Sequence, residues 1–261
     1  MKREASALVA IPLVVAAVFL PDRELFRWIV TALSLLALWE YISICRLEGL
    51  LSAAVLAGGA ISVGTAYGEG GLSFPGAALL IVLVASLWKV EDPAESFRRS
   101  GGAVLGAVYI SYAFTSILLL RELPGGRAWI MVLLIILWAG DTAAYYGGSR
   151  FGRRKLAPSL SPKKTWEGAA AGLLGSLVAG TVTAMLLLDD LPLDRVAVLT
   201  LAVAASGQIG DLLESLRKRA KGVKDSGRII PGHGGLLDRI DSLLLGAPGG
   251  YHLIRTWVTG A

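Results

Sequence analysis

Apolar residues run along this chain in long, nearly unbroken blocks. They lie near positions 6–20, 25–45, 50–67, 74–89, 101–120, 128–147, 167–188, 194–213 and 239–259. The hydrocarbon core of a bilayer takes about 20 mostly apolar residues per helix, with roughly 17–25 usual, so the pattern predicts nine transmembrane helices. Within a run the apolar residues go all round and do not alternate with period two, as the strands of a membrane barrel would. The expected fold class is all-α, a polytopic integral membrane protein. The first run is short and lacks an A-x-A-like cleavage site followed by a soluble domain, so it reads as a retained helix and not a signal peptide. Gly58-Gly59 and Pro75-Gly76 interrupt the third and fourth runs.

Composition supports the same solvent. Of 261 residues, 54% are hydrophobic and 17% charged, against about 25% charged in soluble chains, and the mean hydropathy is +0.64. A soluble globule of this size cannot hide that much apolar surface. Glycine, with 32 residues, is frequent in membrane helices. The single cysteine, Cys45, excludes a disulfide scaffold. A net charge of +5 would suit nucleic acid in a soluble protein, but in a membrane protein basic residues set topology or meet lipid head groups; no nucleic-acid partner is expected.

With nine spans, 19 of the 25 Lys and Arg residues fall on the side of the N-terminus. The six on the other side are Arg23, Arg27, Arg121, Arg127, Arg195 and Arg255. That asymmetry places the N-terminus in the cytoplasm and the C-terminus outside. Trp28, Trp88, Trp129 and Trp257 fall near span ends, where interfacial anchors sit.

The basic residues are also bunched. Thirteen of the 25 lie in the stretches 148–166 and 215–239, both on the cytoplasmic side. Topology and attraction to anionic lipid explain such loops on their own, but the acids nearby change the reading. Asp141 sits inside the sixth span, Asp211 near the cytoplasmic end of the eighth, and Asp238 and Asp241 open the ninth. The topology brings Asp141, Asp211 and Asp238 to similar depth. A carboxylate at membrane depth costs about 2.5–3.5 kcal/mol on insertion scales, so it faces a cavity or a partner. One such acid is explicable as a structural ion pair; three beneath thirteen basic residues suit metal-assisted handling of phosphates. Mg²⁺ takes hard oxygen ligands and shares its shell with phosphate, while Lys and Arg neutralise the remaining charge. Zinc is disfavoured, because His233 and His252 are the only histidines and there is one cysteine. Neither a Walker A pattern nor G-x-S-x-G occurs.

Glycines punctuate both basic stretches. Gly232, Gly234 and Gly235 flank His233 just before a helix expected to begin near Leu236, where free N–H groups suit an anion; a tight turn with a glycine cap is the plainer reading. In SPKKTWEG, Ser161-Pro162 makes a turn, Lys163 and Lys164 are adjacent donors, and Thr165 is placed to cap the next helix. Gln208, Asp211 and Ser215 are spaced to share one helix face, which is expected to line a pocket.

Two segments resemble a known family. SLRKRAKGVKDSGRIIPGHGGLLDRID (Ser215 to Asp241) resembles the C-terminal hallmark of the phosphatidate cytidylyltransferases, the CDP-diacylglycerol synthases. DTAAYYGGSRFGRRKLAPSLSPKKTWEG (Asp141 to Gly168) resembles a second block of the same enzymes. One departure is Arg217, where the family pattern usually has an apolar residue. The resemblance implies Mg²⁺-dependent transfer of CMP from CTP to phosphatidate, giving CDP-diacylglycerol and pyrophosphate. It also implies a monovalent cation such as K⁺ beside the Mg²⁺, a homodimer, and an active site on the cytoplasmic face of the inner cell membrane. On this basis residues 1–100 are N-terminal transmembrane helices (spans one to four). Residues 101–261 are the catalytic region (spans five to nine), with cytoplasmic loops 148–166 and 214–238. Two alternatives stay open: a CTP-dependent polyprenol or lipid kinase of the same superfamily, and an ion-coupled transporter whose intramembrane acids carry an ion. Against the transporter, the acids cluster toward one face and no internal repeat is visible.

With the resemblance, roles are expected residue by residue. Asp211 and Asp238 are the principal Mg²⁺ ligands, and Asp141 is a further ligand or orients one. Lys163, Lys164, Lys224 and Arg239 clamp phosphates, and His233 with Gly234 and Gly235 forms a loop over them. Ser161, Lys218, Arg219, Gln208 and Ser215 contact substrate. Asp225 and Asp241 are weaker candidates, since each is placed to pair with a neighbouring base or cap a helix. The phosphate monoester of phosphatidate is largely dianionic near neutral pH, its second pKa being about 6, so the nucleophile needs no strong general base.

Overall fold

The computed structural model of the chain describes residues 12–67, 75–88, 90, 92–188, 191–223, 226–227 and 234–259. Each apolar run has become a helix. They are α1 (12–19), α2 (Arg23–Cys45), α3 (Gly49–Gly64), α4 (Pro75–Ser86), α5 (Pro93–Glu122), α6 (Gly126–Phe151), α7 (Trp166–Leu187), α8 (Leu193–Ala220) and α9 (Leu237–Thr259). Among the described residues five helices, α2, α5, α6, α7 and α8, are long and apolar enough to cross a membrane. The runs interrupted by glycine and proline give the shorter α3 and α4, of 16 and 12 residues. α9 has 23 residues but carries Asp238, Arg239 and Asp241 in its first turns and Pro248 in its interior. The all-α expectation needs one amendment: the basic stretch after α6 contains an antiparallel hairpin of β1 (Lys155–Ala157) and β2 (Ser161–Thr165). It lies between two apolar runs, where hydropathy carries no signal.

The chain divides into two compact units. The first comprises Met1–Leu119 with Asp225–Arg239, the second Leu120–Lys224 with Ile240–Ala261. In the first, the glycines that interrupt the third run set the packing of α3 on α4. A Cβ on Gly58 would stand 2.6 Å from the Cα of Ala78, so only glycine lets these backbones meet. The Ala78 N–H donates to Ser62 Oγ at 3.2 Å across the same contact. Tyr41 is buried, and its hydroxyl donates to the Gly102 carbonyl at 2.7 Å. Trp28 is exposed, as an interfacial anchor would be.

In the second unit α7 packs against α6 and α8 through small residues. Gly168, Gly172, Ser176, Gly180 and Ala184, four apart, form its buried stripe, the pattern by which membrane helices approach closely. A Cβ on Gly180 would lie 2.6 Å from Ile136 Cγ1 on α6 and 2.9 Å from Thr200 Cγ2 on α8. Ser176 Oγ donates to the Ile136 carbonyl at 2.7 Å. The opposite face of α7 exposes Leu174, Val178, Val182, Met185 and Leu186, which suits lipid. Trp129 departs from expectation, being 4% exposed and packed in the interior.

Candidate active site

Three helices and the hairpin of the second unit bring acids together. Asp141 projects from α6, Asp211 from α8 and Asp241 from α9. Asp141 Oδ2 lies 3.1 Å from Ser242 Oγ, which is also 3.2 Å from Asp241 Oδ1. A hydroxyl has one hydrogen to give, so Ser242 serves these two acids alternately. The Ser242 N–H donates to Asp241 Oδ1 at 2.8 Å. The charge of Asp211 acts on both Asp141 and Asp241, that of Lys164 on Asp141 and that of Lys218 on Asp241. From the end of β2, Lys164 Nζ reaches Asp211 Oδ2 at 2.6 Å.

Beside them is a small cleft of about 10 Å³, lined by Gly140, Asp141, Ser176, Gly207, Gln208 and Ser242, among others. Its floor is set by close backbones: a Cβ on Gly210 would lie 2.6 Å from the Asp241 carbonyl, and one on Gly207 would lie 3.4 Å from Ser242 Cβ. Gln208 is oriented by donating from Nε2 to the Ala169 carbonyl at 3.0 Å. A cavity of about 10 Å³ is room for a single water, so any larger ligand binds outside it. Among the described residues no three acids, imidazoles or thiols stand close enough to form a ready cage for a metal. The donors are nonetheless the hard oxygens a divalent cation prefers. That chemistry fits Mg²⁺, which keeps waters and takes only one or two protein carboxylates.

The hairpin is fastened at both ends. The Glu167 carboxylate on α7 accepts from the N–H groups of Arg153 at 3.0 Å and Arg154 at 3.2 Å. Thr165 caps α7 as expected, its Oγ1 accepting from the Gly168 N–H at 3.1 Å. Arg219, at the end of α8, donates from Nε to the Leu160 carbonyl at 3.2 Å and ties the turn to that helix.

Over residues 1–257 the chain matches the model of the cytidylyltransferase family. The chain belongs to this family. It is 38% identical over 186 residues to the phosphatidate cytidylyltransferase of Bacillus subtilis, covering 70% of this chain and 69% of that protein. The corresponding enzymes of Haemophilus influenzae and Pseudomonas aeruginosa are 32% and 33% identical to it. Those alignments cover 95% of this chain in both cases, and 96% and 94% of the relatives.

Within this family member the expected site residues fall into groups. Asp141, Asp211, Lys164 and Gln208 lie together in the second unit, with Ser215 half-buried a turn beyond Asp211. Ser161 and Lys163 lie on β2, Lys163 exposed, and Lys218 and Arg219 lie in the last turn of α8. Asp238, Arg239, Gly234 and Gly235 belong to the first unit. There Asp238 Oδ2 accepts from the N–H groups of Ser226 at 2.8 Å and Gly235 at 3.1 Å. Gly234 has a φ of +81°, a conformation glycine adopts at no steric cost. Lys224, Asp225, Gly232 and His233 lie outside the described residues. Arg217, which departs from the family pattern, pairs with Glu214, 2% exposed; a basic residue there answers a buried acid. Ser242 was missed by sequence reasoning, and a serine beside an acid gives no signal by itself. Glu40 was also missed, although an acid inside an apolar run is the same signal that marked Asp141.

Proposed function

We propose that this chain is a phosphatidate cytidylyltransferase that works at the cytoplasmic face of the inner cell membrane. The observation that carries the reading is the Ser242 hydroxyl shared by Asp141 and Asp241, with Lys164 paired to Asp211, in a chain of this family. An oxygen of the phosphatidate phosphate attacks the α-phosphorus of CTP. The bond from that phosphorus to the bridging oxygen of the β-phosphate breaks, and pyrophosphate leaves. The nucleophile is already anionic, so the site contributes alignment and charge neutralisation.

Asp211, with Asp141 and Asp241 beside it, would hold Mg²⁺, which when bound neutralises phosphate charge and aids the leaving group. A monovalent cation such as K⁺ is a second ion of the same reading. Lys164 and Lys218 supply positive charge to phosphate, and Gln208 orients within the cleft. Lys163, Lys224, Arg239 and His233 keep their assignment as phosphate contacts, with Ser161, Ser215, Arg219, Gly234 and Gly235 as substrate contacts; Asp238 is a further essential acid. Given nine crossings, the excess of basic residues on one side supports a cytoplasmic N-terminus and an external C-terminus. A homodimer is part of the same reading.

The test uses purified protein in detergent, labelled CTP, and phosphatidate or a polyprenol, with and without Mg²⁺. Label entering a cytidine-containing lipid only with phosphatidate and Mg²⁺ is expected. A phosphorylated alcohol without cytidine overturns the reading in favour of a kinase. Asp211→Asn and Asp238→Asn are each expected to abolish the transfer in folded protein; near-normal turnover in either removes that residue from the mechanism.

A further inference from the structure

The first four helices carry no residue assigned to the reaction, yet α2 holds a buried carboxylate in the last third of its apolar run. Glu40 is 1% exposed. Its Oε1 accepts from the Leu236 N–H at 2.7 Å, and its Oε2 accepts from the Leu237 N–H at 2.8 Å and lies 3.3 Å from the Ser226 hydroxyl. Glycines make room for it. A Cβ on Gly235 would stand 2.5 and 2.6 Å from the two carboxylate oxygens, and one on Gly227 would stand 2.9 Å from Oε1. A side chain at Gly235 would displace the Ser226 hydroxyl and both carboxylate oxygens at once, and one at Gly227 would press on Oε1.

The same short segments are held by Asp238, which accepts from the Ser226 and Gly235 N–H groups. Two carboxylates therefore divide the polar atoms of these two segments between them. Glu40 takes the Ser226 hydroxyl and the amides of Leu236 and Leu237; Asp238 takes the amides of Ser226 and Gly235. A carboxylate this buried is costly unless saturated with donors, and the unpaired amides at a helix N-terminus supply them along with the favourable end of the dipole.

We propose that Glu40 is a positioning residue for the reaction: it fixes Ser226–Gly227 and Gly235–Leu237 so that Asp238 is presented in its working orientation. The proposal rests on the reading of the chain as a phosphatidate cytidylyltransferase. It makes the N-terminal helices part of the catalytic apparatus and not only an anchor.

The test is Glu40→Gln in the full-length protein, purified in detergent. The amide keeps the shape but turns one acceptor into a donor facing a backbone N–H. Three quantities are read: thermal stability, hydrogen–deuterium exchange of the peptide spanning Leu236 and Leu237, and kcat per folded molecule with phosphatidate and CTP. Faster exchange in that peptide is expected, with kcat per folded molecule lowered by at least about tenfold. A purely structural role would reduce the folded fraction and leave kcat per folded molecule unchanged, so a value within about twofold of wild type overturns the proposal. If Glu40→Gln fails to fold, Ser226→Ala removes one Glu40 partner while keeping the backbone bond to Asp238. It is expected to lower kcat in the same direction, and an unchanged kcat overturns the proposal. Failure of the wild-type protein to transfer CMP to phosphatidate strikes the functional reading itself, a separate outcome from a normal Glu40→Gln enzyme.

Discussion

Replacing Gly172 by alanine tests whether the close packing around α7 sets the geometry of the acid cleft. The new Cβ would lie 2.9 Å from Gln208 Nε2 and 3.1 Å from both Ala144 Cβ and the Gly140 carbonyl oxygen. Carbon atoms in contact prefer about 3.5–4.0 Å. The Gln208 amide can swing, at the loss of its bond to Ala169, but the Gly140 carbonyl is backbone and immediately precedes Asp141. α6 and α7 must therefore part by a few tenths of an ångström. Overpacking of this kind costs about 1–3 kcal/mol, and alanine returns roughly 0.5–1 kcal/mol over glycine within a helix. A net destabilisation of about 0–2.5 kcal/mol is expected. Activity should fall further than stability, because Gln208 and Asp141 both border the cleft, and misplacement by about 1 Å costs on the order of a hundredfold. Thermal unfolding in detergent and CMP transfer per folded molecule, with Val178→Ala on the exposed face as control, measure the two effects. A Gly172→Ala enzyme with wild-type stability and turnover would refute the link between this packing and the site.

Three further outcomes follow from the same geometry. Lys164→Met should leave thermal stability nearly unchanged, since a part-exposed pair contributes only about 0–1 kcal/mol. The same variant should lower CMP transfer by about a hundredfold or more; equal losses of both would make Lys164 structural. Ser242→Ala removes the hydroxyl shared by Asp141 and Asp241 and should cost about 1 kcal/mol of stability and lower kcat measurably; unchanged kinetics would show that the hydroxyl does not order the acids. Glu214→Leu alone should destabilise by about 3–5 kcal/mol, because it removes the acid beside the Arg217 guanidinium. The double variant with Arg217→Leu should recover most of that loss in thermal unfolding, and failure to recover would mean the two residues are not coupled.

Much of the fold was legible because a bilayer imposes one strong rule, and nine apolar runs correspond to nine helices among the described residues. Asp141 and Asp211 were legible for the same reason: a carboxylate inside an apolar run must be explained. The hairpin was not, since SPKKT has neither alternation nor apolar content and its shape is imposed by Glu167 and Arg219 from flanking helices. Asp241 was undervalued because an acid at a helix start is ordinarily a cap, and only the fold places Asp211 and Asp141 near it. Glu40 carried the same signal as Asp141, but no partner could be attached to it. Its partners lie 186 to 197 residues away, and nothing local to α2 indicates them.

That separation has a consequence in time. A ribosome adds about 5–20 residues each second, so roughly 10–40 s pass between the making of Glu40 and of Leu237, the amide it finally binds. Throughout that interval α2 enters the bilayer with a carboxyl group whose eventual partners do not yet exist. Lying in the last third of α2, this group incurs less than the cost of about 2.5–3.5 kcal/mol that a lone acid meets at a helix centre. The apolar residues on either side of Glu40 must hold the helix in place until the end of the chain arrives to cover it.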